Sequence, residues 1–115
     1  MTVNEKIVQA MKPFGLPVVA DFFGGGNKEY ITFNYSDSAA LSGDDRPVED
    51  VAEVQIHYFL PMDKDYLDIK RRMRAALLDA GFTYPDATVL AEPDGKTRHI
   101  IFECEVETED ELPDE

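Results

Sequence analysis

The chain has 115 residues, of which 24 are acidic and 11 basic, so its formal net charge at pH 7 is −13. A chain of this length suits one domain, because two would each lack a sufficient core, and so negative a surface disfavours nucleic acid and anionic membranes as partners. No apolar run is long enough to cross a bilayer and no signal-peptide pattern is present, so we expect a cytoplasmic protein.

The first third of the chain predicts a helix followed by two strands. Apolar residues recur every three or four positions over residues 3–14, and Thr2 and Glu5 have the spacing of a capping box. Residues 17–23 are mostly apolar and precede a glycine run, which predicts a strand that enters a tight turn. Residues 30–36 alternate between apolar and polar side chains, so we expect them to complete a hairpin with that strand.

The remaining elements are a loop, a strand, a helix and a hairpin. Residues 37–50 lack periodicity and predict a long loop. Residues 52–60 alternate as a strand, and residues 63–80 carry an apolar stripe at helical spacing. Residues 87–91 and 98–106 flank a turn and predict a second hairpin. The order α-β-β-β-α-β-β therefore predicts an α+β fold, with a mainly antiparallel five-stranded sheet and two helices packed on one face.

These elements form a single predicted domain over residues 1–106. The remaining residues, 107–115, are rich in Asp and Glu and lack apolar periodicity. Because like charges repel each other and little there would pack into a core, we expect this segment to be a disordered acidic tail.

The side chains that most often carry chemistry do not form a recognisable catalytic set. Cys104, the only cysteine, lies on the apolar side of its predicted strand, where a free cysteine normally fills the core. His57 and His99 lie on polar strand sides and would form a metal site if their strands paired, but two histidines without a ligand motif are weak support. The glycine run at 24–26 precedes a strand instead of a helix, so it does not predict phosphate binding. We expect neither an enzyme nor a bound metal or cofactor.

One side of the predicted helix over residues 63–80 combines leucine with arginine. Its members fall at positions i, i+4, i+7 and i+11 and form what we call the basic stripe: Leu67, Arg71, Arg74 and Leu78. The ordinary interpretation of such a charged side is a solvated surface. The alternative is a protein interface, in which arginine and large apolar side chains pack on an acidic surface of an identical neighbour. On this hypothesis the long acidic loop provides further interface residues, which are Asp44, Asp45 and Arg46.

Three segments of the chain resemble a known protein family. They are residues 12–18 (KPFGLPV), 30–35 (YITFNY) and 80–84 (AGFTY). In these segments the chain is similar to the tail terminator, or tail completion, proteins of tailed bacteriophages and prophages, and the resemblance covers most of the chain. It implies a sheet flanked by helices and a hexameric ring that caps the head-proximal end of the tail tube. It implies neither catalysis nor a cofactor.

The resemblance also implies partners and a place in the cell. A head-tail joining protein of this kind contacts copies of itself, the tail tube and the head-tail connector, first in the cytoplasm of the bacterial host and then in the virion. A ring needs two different complementary patches on each subunit, which an acidic loop and the basic stripe would supply. Two other classes stay open: an acidic inhibitor that mimics nucleic acid, supported by net charge alone, and a small enzyme or metal protein, which lacks a nucleophile and base pair.

Overall fold

The structure, a computed structural model, describes residues 1–41 and 47–107. These residues form two α-helices, a short 3-10 helix and one mixed sheet of five strands, in the order β1-β2-β3-β5-β4. All neighbouring strands are antiparallel except β1 and β2. The predicted α+β fold with a mainly antiparallel five-stranded sheet is therefore confirmed. The elements are α1 (Val3–Met11), the 3-10 helix (Lys12–Phe14), β1 (Val18–Ala20), β2 (Tyr30–Leu41), β3 (Pro47–Pro61), α2 (Leu67–Asp79), β4 (Asp86–Ala91) and β5 (Thr97–Glu107).

The core of the described residues lies on one side of the sheet. Alternate residues of the three long strands are buried there together with one side of each helix, in a single cluster. Its largest fully buried side chains include Ile7, Met11, Ile31, Ile56, Tyr58, Met73, Leu77 and Phe102. Both helices therefore pack on one side of the sheet, as predicted. The intervening strand residues point to the other side, which we call the open face.

Helix α1 begins with the capping box that the sequence predicts and ends at Met11, before a 3-10 turn. The Thr2 hydroxyl oxygen accepts a hydrogen bond from the backbone N–H of Glu5 (3.1 Å), and the Glu5 carboxylate accepts one from the N–H of Thr2 (2.8 Å). This reciprocal capping box satisfies two backbone donors at the start of the helix. At the other end the 3-10 turn leads to Gly15, whose φ of 69° is one that glycine adopts without strain.

The predicted hairpin between the first two strands is wrong, because β1 lies parallel to β2, with Val18 paired to Ile31. The chain leaves β1 at Asp21, whose φ of 64° is left-handed, a conformation that aspartate tolerates better than most residues. The N–H of Asp21 still bonds to the carbonyl of Phe33 (2.9 Å). Residues 21–29 then cross back to the start of β2. Strand β1 is first in the strand order of the sheet and is therefore a short edge strand.

The loop predicted over residues 37–50 is wrong at both ends. Strand β2 continues to Leu41 and β3 begins at Pro47, and these two residues are paired. Backbone hydrogen bonds extend the hairpin through residues that lack side-chain alternation, so the sequence pattern misplaces the strand ends. The outer part of the hairpin extends past β5, which pairs with β3 from Val51 onward. The predicted interface residues of the loop lie outside the described residues: Asp44, Asp45 and Arg46.

Helix α2 is shorter than the predicted helix over residues 63–80, since it begins at Leu67 and ends at Asp79. The residues before it form a turn in which the N–H of Lys64 bonds to the carbonyl of Pro61 (3.1 Å). The carboxylate of Asp65 accepts a hydrogen bond from the N–H of Leu67 (3.1 Å). An aspartate that bonds to the backbone two residues on favours a turn over a helix, which explains the later start.

The second predicted hairpin is confirmed, with β4 antiparallel to β5. The carboxylate of Asp94 accepts hydrogen bonds from the N–H groups of Lys96 (2.8 Å) and Thr97 (3.0 Å), and these hold the turn. Strand β5 continues to Glu107, the first residue of the predicted acidic tail. The rest of that tail, residues 108–115, lies outside the described residues. Neither described α-helix has the length and apolar character needed to span a membrane.

We predict that Phe82 contributes strongly to stability. Its side chain is 2% exposed and belongs to the core, whereas that of Phe22 is 80% exposed. Phe82→Ala should lower the free energy of unfolding by about 3–5 kcal/mol, because it removes buried surface and leaves a cavity. The matched control Phe22→Ala should change it by less than about 0.5 kcal/mol. Urea denaturation measures both, and equal losses would contradict this assignment of the core.

Candidate functional site

Three members of the basic stripe project from α2 into solvent. Leu67 and Leu78 are 63% and 49% exposed, and the side chain of Arg71 is 75% exposed. The described contact of Arg71 is a surface ion pair with Asp68 (2.5 Å). Exposed pairs of this kind hold a side chain weakly. Two leucines and an available guanidinium on one outer helix side therefore form a candidate docking surface.

Arg74, the fourth member of the stripe, is held by contacts within the chain. Its Nε donates a hydrogen bond to the carbonyl of Pro85 (2.9 Å), and its guanidinium lies 4.4 Å from the centre of the Tyr84 ring. These contacts tie α2 to the segment that leads into β4. The structure thus shows Arg74 joining two segments of its own chain, and its role in an interface stays a prediction.

The open face carries a row of aromatic rings that the sequence analysis did not identify. The Phe23 ring lies 4.8 Å from Tyr30, which lies 4.9 Å from Phe59, which lies 4.2 Å from His99. The His57 ring lies 5.0 Å from His99. We call these five rings the aromatic row. Phe23 follows β1 and the other four rings lie on β2, β3 and β5, so the sheet register brings them together.

A chain of hydrogen bonds continues from this row across the open face. The Gln55 amide donates to the Glu103 carboxylate (3.2 Å), and the Asn34 amide donates to the Gln55 oxygen (3.4 Å). His57 Nε2 contacts the Asn34 oxygen (2.9 Å), and His57 Nδ1 contacts His99 Nε2 (2.8 Å). An ionised carboxylate only accepts hydrogen bonds. Glu103 therefore orients the whole chain, with each proton directed toward it.

This orientation fixes the tautomers of the two histidines. His57 carries its proton on Nε2 and accepts through Nδ1 the proton of His99 Nε2. The free Nδ1 of His99 faces the Glu92 carboxylate at 3.8 Å. Partial burial lowers the pKa of both histidines; the neighbouring His99 lowers that of His57 further, and Glu92 partly opposes the effect at His99. A proton on His57 Nδ1 would remove the acceptor of the bond between the two rings, so that bond requires a neutral His57.

The surroundings of Cys104 and of the histidine pair differ from those of a catalytic or metal site. Burial raises the pKa of Cys104 to about 12, so its thiol stays protonated at neutral pH. The strands of His57 and His99 do pair, as the metal hypothesis required. Their ring nitrogens bond to each other, however, and within the described residues no group of three or more His, Cys, Asp or Glu side chains is arranged to hold a metal ion.

The polar half of the open face is acidic. Glu53 lies opposite Glu105, and Asp86 lies opposite Glu103, across adjacent antiparallel strands. These four exposed residues line a groove of about 590 Å³ that is bordered by Tyr84, and we call it the acidic groove. No described lysine or arginine forms an ion pair with any of the four. Like charges placed directly opposite each other destabilise a sheet.

The fold and its exposed surfaces are those of a two-layer α+β domain with candidate protein-binding faces on both sides. Its fold is similar to that of a chain in a solved structure titled "Virion of native gene transfer agent (GTA) particle", with a TM-score of 0.60. The two chains are 13% identical, and the match covers 94% of this chain and 95% of the other. At this identity the likeness shows a shared fold. Neither a scan against protein-family models nor a search of curated proteins gives a match.

We predict that Arg74 and Arg71 differ in their effect on stability. Arg74→Ala removes a charged hydrogen bond and a contact between a cation and an aromatic ring, so it should cost about 1–3 kcal/mol of unfolding free energy. Arg71→Ala, at an exposed position, should change it by less than about 0.5 kcal/mol. Urea denaturation measures the unfolding free energy of both variants. A decrease for Arg71→Ala as large as that for Arg74→Ala would count against a stabilising effect of the Arg74 contacts.

The histidine pair predicts a pH dependence of stability. A folded pKa below the usual 6.5 means that the unfolded chain takes up protons first as the pH falls. The contribution of the pair to the free energy of unfolding is therefore complete above about pH 7. It decreases as the pH falls below that value, by up to about 1.4 kcal/mol per pH unit for each proton. Urea denaturation between about pH 7.5 and pH 5.5 should show this slope reduced in the double variant His57→Gln, His99→Gln. An unchanged slope would refute it.

Proposed function

We propose that the protein is a structural assembly protein of a phage-like virion, and more specifically a tail terminator that forms a ring at the head-proximal end of the tail tube. The observation that carries the proposal is the similarity of its fold to a chain of a gene transfer agent particle across nearly the full length of both chains. The resemblance of its sequence segments to tail terminator proteins supports the finer assignment. A hexamer is the ring that this resemblance implies.

The distribution of surfaces supports a ring. The outer side of α2 and the open face lie on opposite sides of the domain, because both helices pack on one side of the sheet. They differ in chemistry, since one presents arginine and leucine and the other carboxylates and aromatic rings. Two different surfaces on opposite sides suit a heterologous contact, which closes into a ring when the rotation per subunit permits.

The side-chain chemistry supports a binding role without catalysis. The Cys104 thiol is buried with a raised pKa, and the two histidines bond to each other and to Asn34. In the proposed role the partners are other copies of the chain, the tail tube and the head-tail connector. The protein would meet them in the cytoplasm of the bacterial host and remain with them in the virion.

Self-association is the first prediction of this function. Light scattering coupled to gel filtration should show an oligomer that grows with protein concentration and weakens with added salt, because charged surfaces are screened by salt. A parallel sample with purified tail tubes should show the chain bound at tube ends in electron micrographs. A chain that stays monomeric at high concentration in low salt, and also fails to bind tubes, would overturn the proposal.

The particular role of a terminator is tested on particles. Immunogold labelling of tailed particles from a producing host should place the chain between head and tail. A strain that lacks the gene should accumulate separate heads and tails. Label along the whole tail or on the head surface would keep a virion role but exclude a terminator. Stoichiometric binding to a DNA-processing enzyme would instead favour the alternative of an acidic inhibitor that mimics nucleic acid.

A further inference from the structure

The geometry points to one particular contact between copies of this chain: the basic stripe of one copy lies along the open face of the next, with Arg71 in the acidic groove and Leu78 directed toward the aromatic row. This inference rests on the proposed ring-forming function and specifies its interface. The loop residues named from the sequence are not needed for it. The occupant of the open face is thus a second copy, recognised by its charge and its two exposed leucines.

The acidic groove is suited to receive a guanidinium from outside the domain. Glu53 and Glu105 are directly opposite on antiparallel strands, which places their Cβ atoms about 5 Å apart. No described cation of the same domain pairs with them. A planar guanidinium has donors on several edges and can bridge two carboxylates at that separation. One arginine from a neighbour would relieve the repulsion between them.

Arg71 is the stripe residue best placed to supply that guanidinium. Its side chain is 75% exposed and bonds to Asp68 of its own helix, a pair that can exchange for a groove holding several carboxylates. Arg74 is occupied by Pro85 and Tyr84. Helix α2 holds four cationic residues against two acidic ones, so the charge on the helix complements the charge in the groove.

The spacings on the helix and on the sheet agree. Arg71 and Leu78 are seven residues apart, which is about 10 Å along a helix. On the open face, Ile101 and His99 lie two and four residues from Glu103 on β5, or about 7 and 13 Å away. A helix laid along β5 with Arg71 at Glu103 and Glu105 therefore brings Leu78 over the half-buried Ile101 and the edge of the aromatic row. The leucine then covers apolar surface that water contacts in the single domain.

Charge reversal tests the contact. Arg71→Glu and Glu105→Arg should each raise the apparent dissociation constant of assembly about 30-fold or more in light scattering. An equimolar mixture of the two variants should assemble, because one contact between them is the wild-type pairing and the other pairs the two reversed charges. The double variant Arg71→Glu, Glu105→Arg should regain assembly. Lys12→Glu and Asp63→Lys, exposed positions outside both surfaces, are the controls and should assemble as the wild type does.

Cysteine cross-linking tests the alignment independently of charge. A variant with Leu78→Cys and Ile101→Cys should give a ladder of disulfide-linked multimers under mild oxidation, while each single variant should give no ladder. Phe22→Cys combined with Leu78→Cys is the control, which keeps the first thiol and moves the second to another exposed position, and it should give none. Cys104 is buried and does not compete.

The outcomes separate this inference from the proposed function. If the wild type forms rings and the variants Arg71→Glu and Glu105→Arg form them equally well, the stripe-to-groove contact is overturned. The proposed ring would not be contradicted by that result. Failure of assembly to return both in the mixture and in the double variant would also overturn the stripe-to-groove contact, because the two reversed charges would then not face each other in the contact. A wild-type chain that neither assembles nor binds tail tubes would overturn the proposed function and this contact together. Circular dichroism of each variant confirms that loss of assembly is not loss of folding.

Discussion

The alternation of the central strand β3 is the constraint on which the rest of the structure depends. Every second residue from Ala52 to Leu60 is buried against the helices, while residues between them, such as Gln55 and His57, point to the open face. A slip of one residue would exchange the two sets and place polar groups in the core. Because β3 pairs with both β2 and β5, its register also fixes which side chains of those strands meet on the open face.

The open face consequently holds an arrangement that the fold alone does not require. The core would be unchanged if Glu53 and Glu105 were uncharged, since both point away from it. A sheet that opposes carboxylates gives up a small part of its stability, up to about 1 kcal/mol for each opposed pair. The hydrogen-bond chain that ends at Glu103 adds order to the same surface. We interpret a surface that is both strained in charge and ordered in geometry as one shaped by binding.

The sequence predicts those parts of this molecule that depend on neighbouring residues along the chain. The capping box of α1, the two helices, the second hairpin and the burial of Cys104 all follow from local spacing, and the structure confirms them. The parallel placement of β1 does not follow, because the reversal at Asp21 depends on one unusual backbone angle. The contact between His57 and His99 depends on register between two strands 42 positions apart. Single-strand alternation identifies the face on which such residues lie but not the neighbours they meet.

The two-layer architecture links the fold to the proposed assembly. A sheet covered by helices on one side has an outer helix surface and an open sheet surface, and evolution can give each a different charge without disturbing the core between them. In this chain the outer surface of α2 presents arginine and leucine, although the chain as a whole carries a net charge of −13. Random placement of the few cations would leave α2 no more basic than the rest, yet four of the 11 lie within its 13 residues. Under the proposed contact, this concentration of positive charge on one side of an acidic protein would turn the general repulsion between copies into an attraction in one orientation. In the proposed assembly that orientation would be head to tail, which is the geometry that a ring requires.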